Sequence, residues 1–125
     1  MYVFRRTHER TEKARKEAKN MNKRKRIYIS GKISGTSKMQ YHRKFMDANH
    51  MLSDKGYTVI NPIYLDFYDL EYEKYMTIDF ILLETCDAIY MLHDWKDSPG
   101  AKREKAYAEW LGLEVIYQEE EEKHD

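Results

Sequence analysis

Two carboxylates stand out by their surroundings. Glu104 follows Asp97-Ser98-Pro99-Gly100, a run suited to opening a helix, with Ser98 or Asp97 as the cap and Gly100 leaving room for a ligand. A Glu near a first helical turn can point its carboxylate back toward whatever precedes the helix, or simply complement the helix dipole. Asp79 lies among Ile78, Phe80, Ile81, Leu82 and Leu83. An acid in so apolar a stretch needs a polar neighbour, a function or an exposed side. A third segment, Gly31-Lys32-Ile33-Ser34-Gly35-Thr36, combines two glycines, a lysine and two hydroxyls. If a helix follows, its free N–H groups and dipole suit an anion such as phosphate. The segment is neither a dinucleotide fingerprint nor a P-loop, and a plain strand-to-helix turn would read the same way.

The elements that must position these residues alternate. Arg26–Ser30 (RIYIS) is rich in β-formers and halts at Gly31, a first strand. Ser37 caps a helix running to about Lys55, with Tyr41, Phe45, Ala48 and Leu52 on one face and Gly56 as its stop. Tyr57–Ile60 is a second strand ended by Asn61-Pro62, and residues 63–73 form an acidic, aromatic loop. A helix over about 74–86, a third strand over Asp87–Leu92, a helix over about 101–111 and a fourth strand over Leu113–Tyr117 complete the chain. Alternating strands and helices imply a doubly wound, Rossmann- or flavodoxin-like α/β fold with a parallel sheet, whose simplest order is 2-1-3-4. Ligands of such sheets sit beyond the carboxyl ends of the strands where the order reverses. That rule gathers Gly31–Thr36, Asn61-Pro62 and His93–Gly100 at one site.

At 125 residues the chain has room for one hydrophobic core. Its zero net charge conceals an asymmetry: residues 1–26 carry eleven Lys/Arg against three Glu, while residues 118–125 carry five acids and one Lys. Residues 1–25 lack an apolar stripe and read as a basic extension, helical at most through weak i,i+4 pairs such as Glu9–Lys13. Residues 26–117 form the folded unit, and 118–125 an acidic tail. The folded unit is mildly acidic, so nothing in its charge calls for nucleic acid; only the basic extension could provide it. The lone Cys86, the lack of an apolar run of about 18 residues and the lack of a signal-like start point to a soluble cytoplasmic protein, away from membranes. The five histidines show no metal-ligand spacing, and no metal or redox cofactor is expected. The helix at 74–86 is apolar around most of its circumference, with Tyr64, Phe67, Tyr68, Tyr72 and Tyr75 before it, more than a small monomer leaves exposed. A homodimer is therefore expected.

Taken together, Ile27-Tyr28-x-x-Gly31, Asp79 eight positions before Asp87, and Ser98-x-Gly100-x-x-x-Glu104-x-x-x-Ala108-x-x-Leu111-Gly112 resemble the nucleoside 2-deoxyribosyltransferase superfamily. That group includes deoxynucleoside 5′-monophosphate N-hydrolases and a branch of small phage and bacterial domains, which IYISGKISG, VINP and CDAIYML resemble most. The resemblance spans about residues 26–117. It implies cleavage or transfer at the N-glycosidic bond of a (deoxy)nucleoside or nucleoside 5′-monophosphate. Glu104 would be the nucleophile, Asp79 the acid near the leaving base, and Tyr28 the hydroxyl orienting the nucleophile. Ser98 and Gly100 would hold the sugar 5′ end or its phosphate. Paired carboxylates suit an oxocarbenium-like transition state, one attacking and one donating a proton from a raised pKa. Gly31, Lys32, Ser34, Gly35 and Asn61 join the expected binding residues, and Trp95 can stack on the base or fold onto the domain. Where the monophosphate hydrolases carry an Arg after the first strand, this chain has Ser34, with Lys32 as a substitute. Two other functions use the same features: a nucleotide-sequestering module without turnover, and nucleic-acid association through the basic N-terminus.

Overall fold

The computed structural model describes residues 24–119. The basic extension as far as residue 23 and residues 120–125 of the acidic tail lie outside the described residues. Four strands, β1 (Arg26–Ser30), β2 (Thr58–Ile60), β3 (Ala88–Met91) and β4 (Glu114–Tyr117), alternate with helices α1 (Lys38–Asp54), α2 (Tyr72–Leu83) and α3 (Pro99–Leu111). All strand pairs are parallel and the order is β2-β1-β3-β4, the order predicted from the alternation. The order reverses at β1, whose carboxyl end is therefore flanked by the segments leaving β2 on one side and β3 on the other.

Strand alternation splits the core into two layers. Ile27 and Ile29 of β1 face α1, packing with Phe45, Ala48 and Leu52. Tyr28 faces the other way, with Ile89 and Met91 of β3, Leu83 of α2, and Ala101 and Ala108 of α3. Burying each large apolar side chain here contributes about 1.5–3 kcal/mol. Both long helices on the cleft side start from prepared ends. Ser37 accepts the Gln40 N–H while the Gln40 side chain reaches back to the Ser37 N–H, a capping box. Ser98 Oγ accepts the Ala101 N–H, and Pro99 occupies the first turn, where its missing N–H costs nothing.

The structure departs from the residue pattern between β2 and β3. Pro62–Tyr68 form a 3-10 helix instead of an open loop. Asn61 initiates it by accepting the Ile63 N–H, with Pro62 pre-set at the start. Helix α2 then begins at Tyr72 and stops at Leu83, because residues 84–86 turn back on the carbonyls of the last helical turn. Its apolar girdle is largely used: Met76 and Leu83 are buried, and Phe80 stacks on Tyr107 of α3 with ring centroids 4.7 Å apart. Ile81 remains 56% exposed. None of the described helices is long and apolar enough to cross a membrane.

Candidate active site

The alternation that sends Ile27 and Ile29 toward α1 sends Tyr28 toward α3. Glu104, inside α3, comes up against this face and is 5% exposed. Tyr28 Oη donates to Glu104 Oε2 at 2.8 Å, and Ser30 Oγ donates to Oε1 at 2.6 Å. Both carboxylate oxygens are thus held from one strand, fixing the plane of the group. Asp79, on α2, lies close enough to couple with both Glu104 and Tyr28. Its Oδ1 is buried with no hydrogen-bond partner among the described residues.

Burial sets the proton inventory. It pushes the Tyr28 phenol well above its ordinary value, reinforced by the adjacent Glu104 and Asp79 charges, so Tyr28 stays protonated and acts as a donor. It also drives Glu104 well above the carboxylate range, followed by the charge of Asp79 and a hydrogen bond with it; the Ser30 and Tyr28 hydroxyls pull the other way. Asp79 is raised as well, again chiefly by desolvation, with the nearby Glu104 and Tyr28 opposing. Two carboxyls on one dry floor cannot both ionise at ordinary cost, so the pair retains a proton where isolated carboxylates have lost theirs. Tyr28 and Ser30 both direct their hydroxyls at Glu104. The two carboxyls therefore share one proton, and the hydroxyls temper the rise at Glu104.

These two carboxyls form the floor of a cleft of about 670 Å³. Ser98, Pro99 and Gly100 line one side and Gly31, Ile33, Ser34 and Lys38 another, while Tyr41, Phe45, Pro62, Asp66, Tyr72 and Tyr75 make an aromatic wall. Gly31 is needed for space: a Cβ there would lie 2.7 Å from Leu92 Cδ1. A Cβ on Gly100 would come within 3.2 Å of the Tyr72 hydroxyl, so this glycine lets α2 and α3 converge over the floor.

Of the residues singled out by sequence, Asp79, Glu104, Gly31, Ser34, Ser98 and Gly100 line this cleft, and Tyr28 stands behind Glu104. Four others do not line it. Lys32 donates its backbone N–H to Asp94 at 3.0 Å, and Gly35 supplies the positive φ of 86° that turns this loop. Asn61 is a buried brace, its amide donating to Asn49 and Phe45 while its carbonyl caps the 3-10 helix. Trp95 turns away into the second, smaller cavity, because the 3-10 turn Trp95–Asp97 directs its ring toward Tyr117 and Lys105. Among the described residues, the cation that lines the cleft is Lys38. Ser30, Lys38, Tyr41 and Asp66 were not foreseen. Ser30 could have been found, since it shares a strand face with Tyr28 two residues earlier, and Tyr41 follows Lys38 at helical i,i+3 spacing. Asp66 has no such periodic signal.

A family model described as a domain of unknown function, DUF4406, matches residues 25–117, from the lead-in of β1 to the last residue of β4. The chain belongs to the DUF4406 family. Among curated proteins none matches the sequence significantly. Among solved structures, the CMP N-glycosidase BcmB of Clostridium botulinum aligns with a TM-score of 0.55 at 22% identity, over 74% of this chain and 70% of that one. A 2-deoxyribosyltransferase from Leishmania mexicana aligns with a TM-score of 0.59 at 18% identity, over 74% of this chain and 63% of that one. The chain thus spans less than two thirds of the Leishmania protein. At these identities the likeness is one of fold, and the fold is nucleoside 2-deoxyribosyltransferase-like.

Proposed function

We propose that the protein cleaves or exchanges the N-glycosidic bond of a (deoxy)nucleoside or nucleoside 5′-monophosphate through a glycosyl ester on Glu104. The observation that carries this reading is the floor of the cleft, where a buried carboxylate held by two hydroxyls faces a second, partly unpartnered carboxyl. That the fold is shared with an N-glycosidase and a deoxyribosyltransferase supports it. In the first step a Glu104 oxygen attacks the sugar C1′ as the bond to the base breaks. Asp79 delivers its proton to the departing ring nitrogen, so the base leaves neutral. In the second step water, or a second base, attacks C1′ and frees Glu104, and the proton it sheds returns to Asp79. Tyr28 and Ser30 hold the carboxylate in line, a positioning that saves reorganisation at the moment of attack. The sugar 5′ end would meet Ser98 and the Gly100 N–H, which has no intrahelical acceptor so early in α3. Self-association over the exposed Ile81, Phe67 and Tyr68 belongs to the same proposal, and light scattering that returned the 15.2 kDa monomer mass would reject it.

The test is chromatography of deoxynucleosides and their 5′-monophosphates after incubation with the protein, watching for free base. Mass spectrometry of the quenched enzyme should find a sugar on the peptide containing Glu104. Tight binding without release of base would make the cleft a sequestering site instead.

A further inference from the structure

We infer that Asp66 reads the nucleobase and selects bases that present an exocyclic amino group, an assignment that rests on the glycosidic reading above. Asp66 lines the cleft from the 3-10 helix after β2, and its side chain is 21% exposed. Its two oxygens are used unequally. Oδ2 accepts from the Tyr41 hydroxyl at 2.7 Å and lies 2.8 Å from His42 Nε2. Oδ1 has no hydrogen-bond or ion-pair partner among the described residues. Burial and the adjacent Asp66 push the Tyr41 phenol up to about 12, so that hydroxyl remains a donor and Oδ2 remains occupied. The backbone beneath is braced as well. The Tyr75 hydroxyl lies 3.3 Å from the carbonyls of both Leu65 and Asp66 and accepts the Leu70 N–H at 3.0 Å. Asp66 is therefore a fixed acceptor with one free oxygen, set in a wall of aromatic rings suited to a planar heterocycle.

Position then gives the orientation. The sheet order places the segment after β2, with Asp66, and the segment after β3, with Ser98 and Gly100, on opposite sides of the β1 end. A phosphate cannot rest against the Asp66 carboxylate, whereas the N-terminal turn of α3 offers N–H groups and the positive end of a dipole. The base accordingly lies at Asp66, the sugar 5′ end at α3, and C1′ between them over Glu104. An ionised carboxylate only accepts hydrogen bonds. An amino group on the base satisfies Oδ1, while a carbonyl in its place sets two acceptors against each other.

The experiment measures kcat/KM and dissociation constants for matched pairs differing at this one group. Suitable pairs are deoxycytidine and deoxyuridine monophosphates, and deoxyadenosine and deoxyinosine monophosphates. The wild type should favour the amino member of each pair by roughly tenfold or more, because the rejected partner leaves a buried polar group unpaired. Asp66→Asn keeps the shape but can donate to a carbonyl, and should erase or invert that preference. Tyr41→Phe removes one bond to Oδ2 but leaves His42 and the braced backbone to hold Asp66, and adds no donor, so it should keep the preference. Equal handling of both members by the wild type, or a preference that survives Asp66→Asn, overturns the assignment, as does its loss in Tyr41→Phe. The wild-type ratio and the Tyr41→Phe result decide even if Asp66→Asn fails to fold. Turnover without base preference defeats Asp66 alone. Absence of turnover with dissociation constants still ordered by the amino group defeats the glycosidic reading and upholds Asp66.

Discussion

The two faces of strand β1 are built from neighbouring residues and do opposite work. Toward α1, Ile27 and Ile29 meet Phe45, Ala48 and Leu52 in an all-apolar layer. Toward α3, Tyr28 and Ser30 spend their hydroxyls on one buried carboxylate. The first face stabilises the sheet by removing hydrocarbon from water. The second gives up stability, because a desolvated carboxyl pair with raised pKa values is a cost the fold must carry. Side by side, they show that polar groups can occupy every second residue of a core strand without interrupting the packing on the other side.

The sharpest way to break this contrast is Glu104→Gln. Turnover should fall by about a thousandfold or more, yet the variant should melt at or above the wild-type temperature at neutral pH. Gln accepts one hydroxyl at its carbonyl oxygen, donates its amide N–H to the oxygen of the other, and removes the buried charge. The sign follows from linkage. A carboxyl raised in the folded state binds more protons there than in the unfolded chain, so wild-type stability declines as pH rises from the ordinary carboxylate range through the raised value, then levels. Thermal melts from pH 4 to pH 9 should show a smaller decline in the variant, and identical curves would argue against a raised Glu104. Next, Asp79→Asn should slow release of poor leaving bases by about a hundredfold or more, and spare an activated aryl glycoside that needs no proton. It should also remove the alkaline limb of the pH–rate profile, which in the wild type reflects loss of the shared proton above the usual carboxylate range. Ile27→Ala tests the other face. It should cost about 2–5 kcal/mol in urea unfolding while the folded fraction keeps its kcat. The smallest effect belongs to Ser30→Ala, where loss of one hydroxyl of the pair should lower kcat roughly tenfold, in line with a hydrogen bond to a charged group, with KM little changed.

Local chemistry explains which parts could be read from sequence. The strands, the order β2-β1-β3-β4 and the Ser37 and Ser98 caps follow from alternation and cap residues that act within a few positions. Glu104 and Asp79 stand out in the sequence because an acid at a helix entry and an acid in an apolar run are anomalies visible without a fold. Which of its two expected positions Trp95 takes is not legible, because loop composition does not state which side a short 3-10 turn faces. Asn61 braces the backbone at the start of the 3-10 helix, a capping role for which Asn is strongly preferred. The acidic, aromatic character of the segment from Asn61 to Tyr72 is plain in the sequence, but its place in the cleft wall is not, because it has neither a 2.0 nor a 3.6 period. Its shape is dictated by Tyr75, Tyr41 and His42 holding it from other elements.

The hydroxyls that hold Glu104 lie 76 and 74 residues before it in the chain. Closing a loop of that span comes late and slowly compared with forming the helices themselves. Until strand β1 has paired and α3 has docked across it, Glu104 is an ordinary solvated glutamate on a nascent helix. On the proposed function, biosynthesis makes an inert polypeptide for as long as the last third of the domain is missing, and the reactive centre would form only with completed assembly. Recovery of catalysis after dilution from denaturant should accordingly lag the recovery of helical circular dichroism, making the reaction itself a clock for the final docking event.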